Sequence, residues 1–361
     1  MTRVVVDASC LSWPQGGIRR YLEGTSRELV KIPDLDLHLV TNSRAPAHLV
    51  PGADEVARRV KGAVVWRHTA LLSVARRTRA DVLWCPWPIA PWWGAPCPTA
   101  VTVHDLSPLM HTGTKPWTST LAMRVSSRRV VRNAAQVLCV SSTTASDVQS
   151  LWGVPSERLS VTPLAVDPMF RAGNRPDAQS WVANRWGIRS PFLLAVGTIE
   201  PRKGYDLLPP LAALVPELPI VVAGRAGPLS EALVGELQRS CRVIGPVSES
   251  ELVRLYQAAE LLLLPSLYEG FGLTPHEAMA CGTPAIIADV SGAPARELGA
   301  VATVVPREPA LWAAAVREAM GTRALLAQRA LTHAGERTWS EVAVETSAAL
   351  LRASVNEAAK S

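Results

Sequence analysis

The stretch LLLLPSLYEGFGLTPHEAMA, Leu261–Ala280, divides into three pieces. Four consecutive leucines have the length and the unbroken apolar character of a strand covered on both faces. SLYEGFG then reads as a loop, and TPHEAMA as the start of a helix. A strand that runs through a glycine-rich loop into a helix is one βα unit, so the pattern predicts a parallel sheet sandwiched by helices. Two acids flank the turn, Glu269 in the loop and Glu277 in the helix. Thr274 as N-cap, Pro275 at the first helical position and Glu277 at the third make a capping box, which gives Glu277 a backbone amide to satisfy. Glu269, flanked by Gly270 and Gly272, has no such duty. The backbone comes close to any ligand there, and the carboxylate can accept hydrogen bonds from sugar hydroxyls.

The same alternation extends in both directions. Upstream, the expected strands are Val4–Ala8, Leu37–Val40, Ala63–Trp66, Val82–Pro86, Thr99–Asp105, Val137–Ser141 and Leu159–Ala165. A polar, Gly/Pro-containing stretch, Asp167–Pro191, interrupts them, and it restarts as Phe192–Gly197, Ile220–Arg225, Cys241–Gly245, Leu261–Ser266 and Pro284–Asp289. The chain is therefore read as two Rossmann-like α/β domains with a cleft between them: residues 1–168, a linker at 169–190, and residues 191–339. A terminal helix at about 340–361 is expected to pack back on the first domain.

Composition narrows the function. With 361 residues, 48% hydrophobic and 19% charged, the chain is long enough for two packed domains and too apolar for disorder. No basic segment leads into a long apolar one, so no secretory leader is expected, and no apolar run approaches the ~20 residues of a membrane span. A cytoplasmic protein is expected, with an inner-membrane-face location as its extension. Six cysteines without ligand-like spacing read as buried thiols rather than a metal site. The net charge of +6 is uneven: residues 1–168 hold 19 basic and 12 acidic side chains, and the remainder 18 and 19. Part of the excess is a helical stripe, Arg124, Arg128 and Arg132, beside Trp117, Leu121 and Val125. It reads either as a solvated helix face or as a contact for an anionic membrane or acidic acceptor. Nucleic acid is not an expected partner, because no recognition module is present.

In parallel α/β sheets ligands bind where strands end and helices begin. Gly16 and Gly17 follow the first strand and precede a helical pattern; they suit either close approach to an anion or a plain tight turn. His104 and Asp105 end another strand, as a cleft histidine with an acid or as a structural histidine with a turn cap. Arg202 and Lys203, in VGTIEPRKGYDLL, precede a helix and would suit a diphosphate, although surface loops also carry such pairs. No P-loop or dinucleotide fingerprint is present.

Taken in order, these motifs resemble the family-4 retaining glycosyltransferases, which have the GT-B fold of two facing Rossmann-like domains. The resemblance rests on EGFGLTPHEAMACGTP (Glu269–Pro284), GGIRRYLEGTSREL, VTVHDLSPLMH, VLCVSSTTASDVQSLWGVPSERLSVTPLAVDPMF, VGTIEPRKG and VIGPVSESELVRLYQAAELLLLPS, which together span nearly the whole chain. It implies a metal-independent transferase with no cofactor. Glu269 would contact the donor sugar and Glu277 the nucleotide ribose, and Phe271, Gly272, Leu273 and Thr274 would cradle sugar and phosphates. Lys203, with Arg202 beside it, would pair with the diphosphate. Gly16 and Gly17 would approach it from the other domain, and His104 would help hold the reacting sugar. The expected donor is a nucleoside diphosphate sugar, first GDP-mannose, and the expected acceptor a saccharide or lipid-linked saccharide of a surface glycan. The Trp/Pro-rich Leu83–Pro98 and the basic helix are the expected acceptor elements. The chain departs from the family in having Thr198 after Gly197, VTPLAVD for the usual PNGVD, and no Pro-Glu after the signature.

Rival readings are weaker. The D-x-D at Asp34–Asp36 lies at the wrong end of a strand for a metal-dependent transferase. A hydrolase would need two carboxylates facing one bond, and a basic loop would be idle there. A sugar-nucleotide epimerase and a non-catalytic binding protein are the remaining alternatives.

Overall fold

The computed structural model describes residues 1–12, 16–42, 50, 54–57, 60–107, 117–228 and 230–358. The chain separates into two compact units. The first contains Met1–Leu106, Leu121–Ala165 and the C-terminal Thr338–Ser361, and the second is built on Val166–Arg337.

In the first unit seven strands form one sheet: β1 (Thr2–Asp7), β2 (Leu35–Thr41), β3 (Asp54–Ala57), β4 (Val82–Cys85), β5 (Thr99–Val103), β6 (Gln136–Cys139) and β7 (Leu159–Val161). Their order is β3-β2-β1-β4-β5-β6-β7, and every pairing is parallel. Val4 of β1 lies opposite both Leu37 and Val82, so β1, buried from Val4 to Asp7, is an interior strand of the sheet. The helices Gly17–Leu29 and Trp339–Ala358 pack on one another, and the latter also covers β4, β5 and β6. Gly24 is what lets the two helices meet: a Cβ there would lie 2.5 Å from the ring of Trp339.

Ala63–Trp66, expected as a strand, is helical. Val64 and Val65 are half exposed while Trp66, Leu71 and Val74 are buried, which is a helical rather than an alternating spacing. The sheet edge is taken instead by β3, whose sequence DEVA carries too little apolar character to be recognised as a strand.

The second unit has six parallel strands, β8 (Leu193–Val196), β9 (Ile220–Ala223), β10 (Arg242–Gly245), β11 (Leu261–Leu264), β12 (Ala285–Ala288) and β13 (Thr303–Val305), ordered β10-β9-β8-β11-β12-β13. The leucine run of β11 serves two cores at once: Leu262 and Leu264 face one, Leu261 and Leu263 the other. That explains why the strand shows no alternation. Asp167–Pro191 is not a plain linker. It holds the helix Arg175–Trp186, capped by the Asn174 side chain on Asp177 N–H, with Ala178 and Val182 fully buried against this unit's core. Only two of its twelve positions are buried, too few to raise a hydrophobic pattern in the sequence.

Candidate active site

The strand order of the second unit reverses between β8 and β11. The first connection leaves to one side, through β9 and β10, and the chain returns to place β11 on the other side of β8. Loops at the carboxyl ends of these two neighbours must therefore emerge side by side, and a crevice opens at such a switch point. The β8 loop carries Arg202 and Lys203 on a short 3-10 turn, and the β11 loop carries Glu269.

The loops join through charge. Lys203 Nζ donates to Glu269 Oε1 at 2.6 Å, and Arg202 Nη1 to Glu269 Oε2 at 3.0 Å. Ser266 Oγ adds a third bond, 2.7 Å to Oε1. Arg202 also spans to Glu200 Oε1 (2.8 Å) and the Tyr268 carbonyl (2.9 Å). Lys203 and Glu269 are both more than nine-tenths buried. Burial alone would push the Glu269 carboxyl up, but Lys203 and Arg202, with the hydrogen bonds from Lys203 and Ser266, hold it at about 2. It is therefore a fixed anion at neutral pH, unable to act as a proton donor. Arg307, just after β13, fastens the two loops from behind through the carbonyls of Pro265 (3.1 Å) and Gly204 (3.2 Å).

The turn into the next helix differs from the capping box expected of it. The helix Leu273–Ala280 begins two residues early, with Gly272 as its N-cap at φ 80° and no side-chain cap. Thr274 is thus the second helical residue and Glu277 the fifth, out of reach of a cap role. Only glycine fits position 272, since the φ is left-handed and a Cβ would lie 2.4 Å from Pro294. Glu277 is buried and accepts instead from the Tyr256 hydroxyl at 3.1 Å. His276 takes over the bracing of the turn. Its ring stacks on Phe271 at 4.5 Å and 11°, and its Nδ1 lies 2.8 Å from the Gly272 carbonyl. Burial, reinforced by His333, lowers its pKa to about 4 against the lift from that carbonyl. A neutral ring beside a carbonyl must carry its proton on Nδ1, which leaves Nε2 as an acceptor.

Glu269, Arg202, Lys203, Phe271, Gly272, Leu273, Thr274 and Glu277 thus lie on two adjacent loops and the helix that follows. His104, Gly16 and Gly17 belong to the first unit, at the carboxyl ends of β5 and β1. The helix opened by Gly17 brings Tyr21 edge-on to His104, with ring centroids 4.9 Å apart, and His104 Nε2 lies 2.8 Å from the Pro86 carbonyl. Burial pushes the His104 pKa down against the lift from Pro86 and Asp105. At Gly16 neither φ (171°) nor packing demands glycine, since no atom lies within 4 Å of a Cβ there.

Ser266, Tyr256, His276 and Arg307 went unrecognised in the sequence. Ser266 had a usable signal, the first polar side chain after a buried strand; the others are paired across 20 or more positions, or sit inside a motif read for its glycines.

Comparison with known proteins agrees with this architecture. Residues 15–170 match the family model Glycosyltransferase Family 4, and residues 183–330 match Glycosyl transferases group 1. The D-inositol 3-phosphate glycosyltransferases of Mycolicibacterium gilvum and Mycobacterium bovis are 32% and 34% identical over 231 and 234 residues, 60% of this chain in each case. The chain spans about half the length of these relatives, 51% and 48%. Among solved structures, Anabaena HepE in complex with UDP-glucose superimposes with a TM-score of 0.76 at 20% identity, covering 97% of this chain and all of that one. Sucrose-phosphate synthase from Thermosynechococcus elongatus gives 0.75 at 16% identity, with 96% and 98% covered. With one glycosyltransferase model on each half and the fold shared along its length, the chain belongs to the family-4, group 1 glycosyltransferases of GT-B fold.

Proposed function

We propose that this protein is a retaining, metal-independent glycosyltransferase that moves a hexose from a nucleoside diphosphate sugar to a saccharide or lipid-linked saccharide. The observation that carries the reading is the Lys203–Glu269–Arg202 cluster at the β8/β11 switch point, beside the amino end of the helix Leu273–Ala280. Two cations and the helix's first backbone N–H groups suit a diphosphate, and they lower the barrier by stabilising charge on it as the glycosyl–phosphate bond breaks. Glu269 spends three of a carboxylate's roughly four acceptor positions on Lys203, Arg202 and Ser266, leaving room for one sugar hydroxyl. Since it stays ionised, the acceptor's proton goes to the departing diphosphate rather than to Glu269. Glu277 serves the ribose, Phe271 to Thr274 line the sugar and phosphates, and His104, Gly16 and Gly17 act from the first unit.

GDP-mannose and surface-glycan synthesis are the first-choice donor and role. The UDP-glucose bound by the HepE neighbour favours a UDP-sugar as the second reading, and the names of the relatives favour a cyclitol phosphate as a second acceptor. A thermal-shift panel of GDP-, UDP-, ADP- and dTDP-sugars tests the donor, because a ligand of the native state raises Tm by an amount that grows with its concentration relative to Kd. A panel in which no nucleotide sugar shifts Tm would overturn the reading. One in which UDP-sugars outrank GDP-mannose would replace the donor.

A further inference from the structure

Adjacent parallel strands are usually joined by a crossover helix. Between β4 and β5 the chain instead uses Pro86–Pro98, thirteen residues of which five are proline and three tryptophan. Proline at this density removes the N–H groups a helix needs, and the segment runs as turns and bends. Where it comes back to the start of β5 it leaves a cavity of about 650 Å³ against the last turn of the helix Trp117–Asn133 and the turn before β7. That volume lies within the ~300–1,000 Å³ of small-molecule sites.

The cavity sits at the opposite end of the sheet from His104. Thr99 is the first residue of β5, Ala135 precedes β6 and Arg158 precedes β7, and all three line it. Strands of this length separate the two ends by roughly 15 Å.

Its walls specify a ligand class. Trp92, 37% exposed, is fixed by its backbone N–H donating to His68 Nε2 (2.9 Å) and by edge contacts with His68 and Trp93. Arg129, Asn133, Glu157 and Arg158 supply planar polar groups. Arg158 Nη1 donates to the carbonyls of Arg132 (2.9 Å) and Ala134 (3.3 Å), so its charge is partly offset by the negative end of that helix. Arg129 and Glu157 cancel in formal charge. The carboxyl end of the helix, where Asn133, Ala134 and Ala135 line the cavity, carries the negative pole and disfavours a phosphate or nucleotide there. An indole with planar donors and acceptors around it matches instead a pyranose, whose C–H face is apolar and whose hydroxyls both donate and accept.

We infer that this cavity binds a neutral oligosaccharide at a site separate from the loops of the second unit. A role in holding the distal sugars of an acceptor rests on the function proposed above; the binding itself does not.

The test is titration of the full chain with mannopentaose and with maltopentaose, followed by calorimetry and saturation-transfer NMR. Wild type binds at least one of them. Trp92→Ala and Asn133→Ala each weaken it by about tenfold while GDP and UDP affinities stay unchanged. Arg129→Ala, at an exposed helix position, weakens it too, and it keeps the test valid if Trp92→Ala loosens the segment. The inference is overturned if neither pentaose binds more tightly than about 10 mM, or if the variants bind like wild type. It is also overturned if the protein binds phosphatidylglycerol vesicles through these residues and neither sugar. Loss of nucleotide binding in wild type would instead strike the donor site and leave this cavity's result standing.

Discussion

Lys203 and Glu269 form a buried ion pair, Nζ to Oε1 at 2.6 Å, between loops 66 positions apart in the chain. With Arg202 and Glu200 the cluster holds two positive and two negative formal charges, so the diphosphate proposed above would meet a site already neutralised. Its binding would redistribute Lys203 and Arg202 between phosphate and Glu269.

Substitutions at Glu269 should separate according to whether the buried cations keep a partner. Glu269→Ala leaves Lys203 and Arg202 buried without it, a change that costs about 3–5 kcal/mol and endangers the fold. Glu269→Gln keeps the shape and one acceptor oxygen. It should preserve cooperative melting, retain or tighten GDP and UDP binding by releasing Lys203, and lower kcat by at least about 100-fold. Wild-type turnover by Glu269→Gln would remove the residue from the mechanism.

Lys203→Met should act in the other direction on binding. The stem remains packed, Glu269 keeps Arg202 and Ser266, and the loss falls on the phosphate. Nucleotide Kd is expected to rise about 10–100-fold with little change in Tm; calorimetry with UDP and GDP reads the first and a melting curve the second.

Acidification should destabilise the second unit in two stages. His276 has a folded pKa of about 4 against an ordinary 6.5, so it binds a proton more readily unfolded, and its contribution, intact above 6.5, disappears as pH falls towards 4. Glu269, at about 2 against an ordinary 4.5, contributes above 4.5 and loses its contribution between 4.5 and 2. Urea titrations in this range should show stability falling with pH throughout. His276→Phe, which keeps the stack on Phe271, should flatten the limb between 6.5 and 4 only; an unchanged limb would mean that another group titrates there.

Gly24→Ala adds a methyl that must displace the Trp339 ring, which lies 2.5 Å from its position. The helix gains intrinsic propensity but the packing loses more, for a net cost of about 1–3 kcal/mol. Pairing it with Trp339→Leu should recover part of that loss, as a double-mutant cycle would read. Independent, additive effects would show that the two helices do not meet as described.

Much of the second unit's candidate site is legible in the sequence. The leucine run of β11, the glycines around Glu269 and the cations after β8 are local signals: a doubly buried strand, a turn that excludes side chains, and charge beside a helix start. The errors fell where local signal is weak or ambiguous. AVVW is apolar and β-branched, yet it folds as a helix because Trp66 and the residues after it are buried at helical spacing. The short strand β3 and the helix Arg175–Trp186 present too few apolar positions to stand out, and β13 is only three residues long.

The sequence by itself therefore determined that the chain forms parallel α/β sheets, where its glycine-rich and charged loops fall, and the family to which it belongs. What only the tertiary structure decided is how the charges are spent. Glu277 looked like a helix cap, because capping boxes are read from spacing, but a left-handed Gly272 starts the helix earlier and Tyr256 takes the carboxylate. Glu269 looked free for a ligand, yet it is the counter-ion of Lys203 and Arg202, because the β8–β11 adjacency brings two loops 66 residues apart to within hydrogen-bonding distance. Hydrogen bonds and ion pairs act over about 3 Å, and chain order alone does not say which residues come that close.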